Sequence, residues 1–418
     1  MIAKSFQKPN YIFACLLALC AFASSLAAEE TSIWDRFETG TGQADASLLD
    51  SALPIKAGPL KIGGFFRYNY TYKDWDETYK DDGQLDFDTA AVNVDLQNTG
   101  DLIGSFQYRW YKERDNHDYH FLRHAWLGYQ LDDDQIQFGI NMVPFGILSY
   151  ASHNWFFQLP YYMGFEADFD LGLKYIKNDG PWTQHFAYYP MDEGNYFGDS
   201  RDSSRYAYDV VETSGNWIGE DSDNTERNQF NYRLAYTFDH ADGDTTELGV
   251  SAQYSQIHNG TTNDDGNHFA VGAHMNGNYG PYNVMLQAIR YEYDLANPTG
   301  TDDSYVMMGA YDWPYKVAAK GTLLSAGVSK KLDVEFAGVN GITLYNDYGV
   351  LLKDKSSYNT SHQNVTGFSF NIGRFTTYVD LAIGKNHSWI GPGWTDSFAS
   401  GDDGDWHTRF NVNVGYYF

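Results

Sequence analysis

The sequence predicts an all-β fold: a transmembrane, antiparallel, up-and-down β-barrel of sixteen strands, with eighteen strands as the alternative. Three observations lead to this prediction: an amphipathic strand at the C-terminus, a secretory leader at the N-terminus, and a series of short alternating segments between them. In the C-terminal segment, residues 407–418, Phe410 and Val412 alternate with Arg409 and Asn411. A strand of about ten residues with one apolar and one polar face can form part of a membrane-spanning barrel wall.

The last residues of the chain carry a further signal. Tyr416 and Phe418 put aromatic side chains at the end of the apolar face. This ending resembles the C-terminal insertion signal of outer-membrane barrels in Gram-negative bacteria. The resemblance implies a location in the outer membrane of a Gram-negative bacterium, with the barrel assembly machinery as a partner.

The N-terminus has the three parts of a secretory signal peptide. Lys4 and Lys8 form a positive region, residues 11–22 are apolar, and small side chains around Ala27 offer a cleavage site. The apolar run is too short for a membrane anchor. We therefore predict a signal peptide over residues 1–27.

Cleavage near that position also decides the cysteine content of the exported chain. Cys15 and Cys20 both lie within the leader, so no disulfide is expected. Residues 28–57 have no clear periodicity, and we predict a periplasmic lead-in segment there, either tucked into the barrel or disordered. The barrel itself is predicted over residues 58–418.

The composition supports a barrel and excludes one class of partner. Aromatic residues reach 17%, although no stretch beyond the leader approaches the ~18 apolar residues of a spanning helix. Barrels combine these properties because half of each strand faces water and aromatic belts mark both membrane interfaces. A secreted all-β binding protein is the competing interpretation. The formal net charge of −27 excludes nucleic acid as a partner.

From residue 58 onward the hydrophobic period is two, as expected for strands with two different faces. The segments that fit this pattern lie near residues 58–72, 90–97, 102–110, 119–131, 135–142, 171–175, 182–188, 230–238, 247–254, 268–275, 281–293, 303–311, 321–331, 341–352, 364–372, 375–384 and 407–418. Short turns such as 98–101 and 132–134 alternate with long polar loops, which predicts that both chain ends lie on the periplasmic side. Bacterial barrels have even strand numbers, so one of these seventeen segments, between residues 294 and 341, is expected to be misassigned.

Three short motifs resemble a known family. Residues 123–128 are Arg-His-Ala-Trp-Leu-Gly, residues 138–146 are Phe-Gly-Ile-Asn-Met-Val-Pro-Phe-Gly, and residues 171–174 are Leu-Gly-Leu-Lys. Together they resemble the phosphate-selective porin O and P family, loosely over residues 58–418. The resemblance implies a sixteen-stranded outer-membrane channel, often trimeric, whose anion selectivity depends on lumenal arginines and a lysine cluster. This chain has scattered basic residues and no dense Arg/Lys run, so it departs from the family at the feature on which phosphate specificity depends, while the porin prediction is unaffected.

Charged residues on the polar face of the predicted strands are candidates to line the pore. The cations are Lys61, Arg67, Arg109, Arg123, Lys174, Arg233 and Arg409, the acids are Asp95, Glu247 and Asp380, and Arg290 and Asp347 are further candidates. A lumen with more cations than acids favours anions, so we predict a mild anion preference. The alternative is that these charges pair with one another for structural reasons.

The third long loop, residues 144–166, is apolar where the other long loops are polar. Its aromatic side chains include Phe145, Tyr150, Trp155, Phe156, Tyr161 and Tyr162. Folding this loop into the barrel would bury its apolar surface and narrow the channel. Packing on the barrel rim or on a neighbouring subunit is the alternative. The same aromatic rings could stack on sugars, which would make a carbohydrate-type channel.

The sequence has no catalytic, metal-binding or cofactor pattern. His120 and His124 are four residues apart, which on a strand separates them by ~13 Å, too far to share a metal ion. We therefore predict no enzyme, no metal site and no cofactor. The prediction is a passive channel for small hydrophilic solutes, a homotrimer surrounded by outer-membrane lipid and lipopolysaccharide. A secreted all-β binding or hydrolytic protein is the alternative.

Overall fold

The computed structural model describes residues 55–57, 59–112, 118–194, 204–213 and 222–418. The predicted signal peptide and residues 28–54 of the predicted lead-in segment lie outside this part of the chain. Residues 55–57 form a short strand antiparallel to the first long strand. Among the described residues, no helix is long and apolar enough to cross a membrane.

The described residues are dominated by strands. They are β1 (Ile55–Ala57), β2 (Leu60–Lys73), β3 (Gln84–Thr99), β4 (Leu102–Lys112), β5 (Asp118–Leu131), β6 (Asp134–Met142), β7 (Phe169–Asp179), β8 (Trp182–Asp192), β9 (Asp209–Val210), β10 (Asn224–Asp239), β11 (Thr245–Asn259), β12 (Asp264–Tyr279), β13 (Tyr282–Asp294), β14 (Tyr305–Ala310), β15 (Trp313–Ala318), β16 (Lys320–Phe336), β17 (Val339–Lys353), β18 (Ser361–Ile372), β19 (Phe375–Lys385) and β20 (Trp406–Tyr417). Short 3₁₀ turns cover Leu159–Met163 and Ala241–Gly243.

Sixteen of these strands form one closed antiparallel sheet: β2 to β8, β10 to β13 and β16 to β20. Each pairs with the next wall strand along the chain, and β20 pairs with both β19 and β2. Tyr416 lies opposite Phe66 across this seam, and Gly64 and Phe418 exchange two backbone hydrogen bonds of 2.9 and 3.0 Å. Because a closed sheet has no free edge, the predicted sixteen-stranded up-and-down barrel is confirmed.

The predicted strand at 303–311 is not part of the barrel wall, which corrects the count of seventeen. It corresponds to β14, which pairs with β15 and β9 in a separate three-stranded sheet. Its six residues are too few to span a membrane, where a tilted strand needs about 9–11. Tyr311 and Asp312, with φ of 53° and 68°, form the tight hairpin turn between β14 and β15.

The wall strands separate apolar and polar side chains by face. In β6, Ile136 and Phe138 point outward, and Phe138 is 65% exposed, whereas Gln135 and Gln137 point inward and are buried. The same division along the other wall strands gives the barrel an apolar outer surface. Such a surface fits lipid and argues against the alternative of a secreted soluble protein.

Strand β5 contains an irregularity that breaks its alternation. Gln107 pairs with His124, but the next residue, Tyr108, pairs with Leu122, so Arg123 is an extra residue in β5. This β-bulge puts both Arg123 and His124 inside the barrel, and the alternation continues beyond it with the opposite phase.

The connections alternate in length as predicted. The two-residue turns 132–133 and 180–181, for example, lie on either side of the long connection 143–168. The short turns and the first and last wall residues therefore lie at one end of the barrel, and the long connections lie at the other.

Parts of the long connections fold into the barrel and pack on one another. The inward segments are 143–168, 204–213, 305–319 and 386–405. Trp389 donates a hydrogen bond of 2.6 Å to the Tyr208 hydroxyl, and Tyr311 contacts Tyr111 of the wall with ring centres 5.3 Å apart. The main apolar core of the described residues therefore lies inside the barrel. The sequence predicts inward folding for only the first of these segments.

Candidate functional site

The inner face of the barrel is the candidate functional site, because charged and polar side chains converge there. The ten predicted pore-lining residues all project to this face: Lys61, Arg67, Asp95, Arg109, Arg123, Lys174, Arg233, Glu247, Asp380 and Arg409. Their pore-lining role stays a prediction. Arg290 lies instead on the outer face of β13, since its neighbours Ile289 and Tyr291 point inward, and it donates to Asp354 at 2.6 Å.

Three arginines on β2, β4 and β5, Arg67, Arg109 and Arg123, form what we call the arginine patch. Arg67 pairs with Asp88 at 3.2 Å. Arg109 donates hydrogen bonds to an amide oxygen and a tyrosine hydroxyl, and Arg123 donates to the Tyr150 hydroxyl at 2.9 Å. Neither Arg109 nor Arg123 forms a salt bridge with any residue in the described ranges. Two of the three guanidinium groups thus have neutral partners there.

Aromatic rings surround the arginine patch. The guanidinium carbon of Arg67 lies 4.5 Å from the ring centre of Trp155. Tyr206 contacts both Arg109 and Arg123, whose guanidinium carbons are each 4.7 Å from its ring centre. Burial alone would raise the pKa of Tyr206, but the two arginines outweigh it and the pKa lies below its ordinary value. The patch has three guanidinium groups and one paired carboxylate, so its net positive charge favours negative groups.

Two other predicted cations are held by acceptors inside the barrel. Arg233 forms a salt bridge with Glu247 and donates to the backbone oxygen of Gly146 at 2.7 Å. Lys174 donates to the backbone oxygen of Met142 at 2.6 Å. These contacts stabilise the end of β6 and the first residues of the loop that follows it, so they have a structural role.

Three more of the predicted residues lie on β2, β3 and β20, at or next to the seam. Lys61 is paired in register with Asp95, and Asp95 accepts a hydrogen bond of 2.7 Å from Ser105. The guanidinium carbon of Arg409 lies 4.8 Å from the ring centre of Phe156. Each contact links a wall charge to a neighbouring strand or to an inward loop.

Two buried aspartates, Asp347 on β17 and Asp380 on β19, form what we call the acidic anchors. Asp347 accepts hydrogen bonds from the backbone N–H of His153 at 2.8 Å and from the side chain of Asn154 at 2.7 Å. Its other oxygen lies 2.7 Å from the His153 ring. Asp380 accepts from the backbone N–H of Trp155 at 3.3 Å. All four contacts are made with residues of one loop.

That loop, residues 143–168, also binds to the other side of the barrel interior. The backbone N–H of Gly146 donates to Ser251 at 3.0 Å, and the backbone N–H of Ile147 donates to Gln287 at 2.9 Å. Together with the acidic anchors, these contacts extend the loop from β11 and β13 to β17 and β19.

The predicted aromatic residues of the loop differ in exposure. Phe145, Phe156, Tyr161 and Tyr162 are buried, and Tyr150 and Trp155 are half-buried beside the arginine patch. The loop thus presents some rings to the interior and packs the others against the remaining inward segments. Its role as a constriction stays a prediction.

Glu166 stabilises the loop from within. Its carboxylate accepts hydrogen bonds from the backbone N–H groups of Ala151 and Gln158, at 3.0 and 3.2 Å, and from the Ser152 hydroxyl at 3.1 Å. Burial raises the pKa of Glu166 to about 8, although these hydrogen bonds favour the charged form. The loop is therefore shaped by its own side chain as well as by the wall.

The residues of the predicted insertion signal lie at the barrel seam. Phe418 stacks on Phe66 with ring centres 5.6 Å apart, and Tyr416 contacts Phe375 at 5.1 Å. Their role as a signal stays a prediction.

Sequence reasoning missed the aromatic residues that the other inward segments contribute to the interior. Tyr206, Tyr311, Trp389 and Phe398 are the main ones. The two tryptophans at 389 and 394 and the continuous apolar run at 305–310 are the signals that could have found them, because both are unusual in exposed loops.

Comparison with known proteins agrees with the fold. No protein-family model and no curated protein sequence matches the chain. The outer membrane channel DcaP of Acinetobacter baumannii matches 88% of this chain and 99% of its own length at 15% identity, with a TM-score of 0.55. The trimer form of OmpT from Vibrio cholerae matches 86% and 99% at 10% identity, with a TM-score of 0.52.

A third solved structure, an anion-selective porin from Comamonas acidovorans, matches 86% of this chain and 99% of its own length at 14% identity, with a TM-score of 0.51. At identities this low the likeness concerns the fold alone. The chain has the same fold as these proteins, and this fold, together with the apolar outer surface, supports the predicted location in the outer membrane of a Gram-negative bacterium.

Proposed function

We propose that the chain forms a passive channel for small hydrophilic solutes in the outer membrane, with a mild preference for anions and the loop 143–168 as its constriction. The observation that carries the proposal is the arginine patch, in which two guanidinium groups have only neutral partners among the described residues. Positive charge along a channel lowers the barrier for negative solutes. The comparison structure described as an anion-selective porin supports the same direction.

The contacts of the loop with the arginine patch support its role as the constriction. Arg123 donates to Tyr150, and Arg67 stacks on Trp155. A solute that passes this loop would meet guanidinium groups and aromatic rings at the same level of the barrel. Size selection and charge selection would then occur at one place.

Replacing Arg67, Arg109 and Arg123 together by glutamine tests the anion preference. In a planar bilayer under a salt gradient, the reversal potential should shift toward that of a cation-selective channel, because positive charge is removed next to the constriction. Arg290→Gln is the control, since Arg290 lies on the outer face. The proposal fails if the triple variant keeps its reversal potential or if the control shifts equally.

A carbohydrate-type channel is the second candidate, favoured by the row of rings in the loop. Phe157 stacks on Tyr161 with ring centres 4.1 Å apart, and Tyr150 contacts Phe157 at 5.6 Å. Rings in such a row suit the flat faces of sugars. Liposome-swelling rates decide between the candidates: faster entry of sugars than of uncharged non-sugar solutes of equal size supports the second, and equal rates support simple diffusion.

We extend the proposal to membership of the phosphate-selective porin O and P family and to a homotrimer. The motifs at 123–128, 138–146 and 171–174 support the first, and the trimer form of the V. cholerae structure supports the second. Chloride conductance that is blocked at low phosphate concentration would support the family. Native mass spectrometry of the detergent-solubilised protein tests the trimer.

We also propose that the barrel assembly machinery recognises the aromatic C-terminus and inserts the chain among outer-membrane lipid and lipopolysaccharide. Phe418→Ala keeps the backbone pairing with Gly64 but removes the ring, so it should slow the appearance of the heat-modifiable folded form after pulse labelling. Phe336→Ala, an exposed aromatic of the wall, is the control. Equal rates for the two variants would contradict a signal at the C-terminus.

A further inference from the structure

Acidic side chains gather at the long-loop end of the barrel, where the loop 143–168 returns to the wall. Asp168, Asp170 and Asp209 each have an oxygen within 4.8 Å of the corresponding oxygens of the other two. Further carboxyl groups are close enough to influence them electrostatically. We call the whole set the carboxylate cluster: Asp168, Asp170, Asp192, Glu193, Asp209 and Glu226.

The members of this cluster come from separate parts of the chain. Asp168 ends the inward loop, Asp170 begins β7, and Asp209 lies in β9 within the connection between β8 and β10. They are exposed by only 4%, 2% and 2%. Ionised carboxylates buried to this extent cost several kcal/mol each unless a positive group compensates them.

The described protein groups provide part of this compensation. Arg205 lies 2.8 Å from Asp192, 3.0 Å from Asp209 and 3.6 Å from Glu193. One guanidinium group carries a single positive charge and cannot balance six carboxyl groups. Arg205 contacts one of the three aspartates, Asp209, together with Asp192 and Glu193.

The two aspartates of the loop–strand junction each have an unused oxygen. One side-chain oxygen of Asp168 and one of Asp170 have no hydrogen-bond partner among the described residues. The other oxygen of Asp170 accepts a hydrogen bond of 2.8 Å from Gln229. Two buried carboxylate oxygens without a partner, next to a third buried aspartate, indicate a site that attracts a positive group.

The spacing of the oxygens selects the kind of positive group. Calcium binds oxygen ligands at about 2.3–2.6 Å, so two oxygens on one calcium ion lie at most about 5 Å apart. The 4.8 Å limit among the three aspartates satisfies this condition. A set made only of carboxylates suits a hard cation rather than zinc or copper, and magnesium tends to keep its own water shell.

We propose that Asp168, Asp170 and Asp209 bind one calcium ion, with water and neighbouring carboxylates of the cluster completing its coordination. The ion joins the end of the inward loop and the start of β7 to the segment 204–213. It thereby neutralises the buried charge and ties two inward segments to the wall. This site is independent of the solute that the channel carries.

Terbium luminescence tests the site directly. Terbium(III) has ligand preferences close to those of calcium and emits when a nearby tyrosine absorbs, and Tyr189 lies next to Asp168 and Asp170. The full chain is refolded in detergent without lipopolysaccharide, which also binds cations, and stripped with a chelator. We expect saturable emission at one ion per chain that calcium displaces.

Variants locate the binding site. Asp168→Asn and Asp209→Asn should each weaken terbium binding by about tenfold or more, because a charged ligand is lost. Asp95→Asn is the matched control: it also removes a buried carboxylate, but at the opposite end of the barrel, where Ser105 donates to it. Heat-modifiable migration checks that each variant is folded. If Asp168→Asn does not fold, Asp209→Asn decides, since Asp209 lies outside the barrel wall.

Several results would overturn the proposal. These are terbium emission that does not saturate, terbium emission that calcium does not reduce, and terbium binding that Asp95→Asn weakens as much as the cluster variants do.

A measurement that needs no variant completes the test. Calcium should raise the thermal unfolding midpoint of the wild-type protein above its value in chelator, since a ligand of the folded state stabilises it. An unchanged midpoint, expected if the carboxyl groups share protons instead, also overturns the calcium site.

Discussion

The arginine patch and the acidic anchors face the same interior, but they hold their charges differently. Asp347 and Asp380 accept hydrogen bonds from backbone and side-chain donors of the loop 143–168. Arg109 and Arg123 contact rings, an amide and hydroxyl groups, none of which carries a formal charge.

The comparison separates two uses of charge inside one barrel. A carboxylate that is surrounded by donors of the loop is compensated locally, so its main effect is to hold that loop in position. The charge of a guanidinium group is not compensated by neutral partners, so in the proposed channel it would act on a passing solute. We therefore expect the acidic anchors to control the position of the loop and the arginine patch to control ion selectivity.

Breaking an acidic anchor should have the largest effect. Asp347→Ala leaves the donors of His153 and Asn154 without an acceptor, and each unpaired buried donor costs about 1–3 kcal/mol. The loop should leave its position on β17, so single-channel recordings should have larger current fluctuations than those of the wild-type protein. The thermal unfolding midpoint should also fall.

Asp133→Ala is the control for this experiment, because Asp133 is an exposed aspartate in the turn between β5 and β6. It should leave both the recordings and the midpoint unchanged. Wild-type current traces in Asp347→Ala would mean that the loop does not depend on this anchor.

A pair of double variants sharpens the comparison at the level of ion selectivity. Arg109→Gln with Arg123→Gln removes two charges that have neutral partners, so the anion-to-cation permeability ratio should fall severalfold. Arg233→Gln with Glu247→Gln removes a salt bridge of zero net charge, so the ratio should remain close to that of the wild-type protein. Reversal potentials in a salt gradient measure both.

Equal ratios in the two double variants would contradict the distinction between paired and unpaired arginines. If the anion-to-cation permeability ratio fell only in the Arg233 and Glu247 variant, the selective site would lie instead at the wall around β10 and β11.

The barrel wall could be predicted from the sequence because its physical cause is local. In β6, the alternation of Gln135, Ile136, Gln137 and Phe138 follows directly from one face in lipid and one face inside. The alternation of apolar and polar residues is interrupted within β5, where the extra residue Arg123 shifts its phase. The sequence alone does not show that shift.

The interior could be predicted only in part, because contacts between distant loops determine it. The apolar loop 144–166 is recognisable by its own composition. The sequence does not identify β14 as an inward strand, since an apolar run has the same composition in a wall strand as in a buried hairpin. The carboxylate cluster joins Asp168 and Asp170 to Asp209, about forty residues away, and no periodicity in the sequence connects them.

The smallest expected effect concerns the charge state of His153, which contacts the acidic anchor Asp347. Both ring nitrogens of His153 face oxygen acceptors, Asp347 at 2.7 Å and Asn283 at 2.7 Å, which suits a protonated ring with two donors. Burial lowers the pKa of His153, but these two partners outweigh it and the pKa lies above its ordinary value. The stabilisation is therefore complete below about pH 6.5 and is lost as the pH rises through the raised pKa.

Thermal unfolding between about pH 6 and pH 9 measures this contribution. The midpoint of the wild-type protein should fall more with rising pH than that of His153→Gln, whose amide keeps a donor for Asp347 but does not titrate. The corresponding difference in the free energy of unfolding should be on the order of 1 kcal/mol, because it reflects one titrating group. Titrating groups remote from His153 and Asp347 act equally in both proteins and cancel in the comparison. Parallel curves would mean that the anchor holds the loop through the backbone and Asn154 alone.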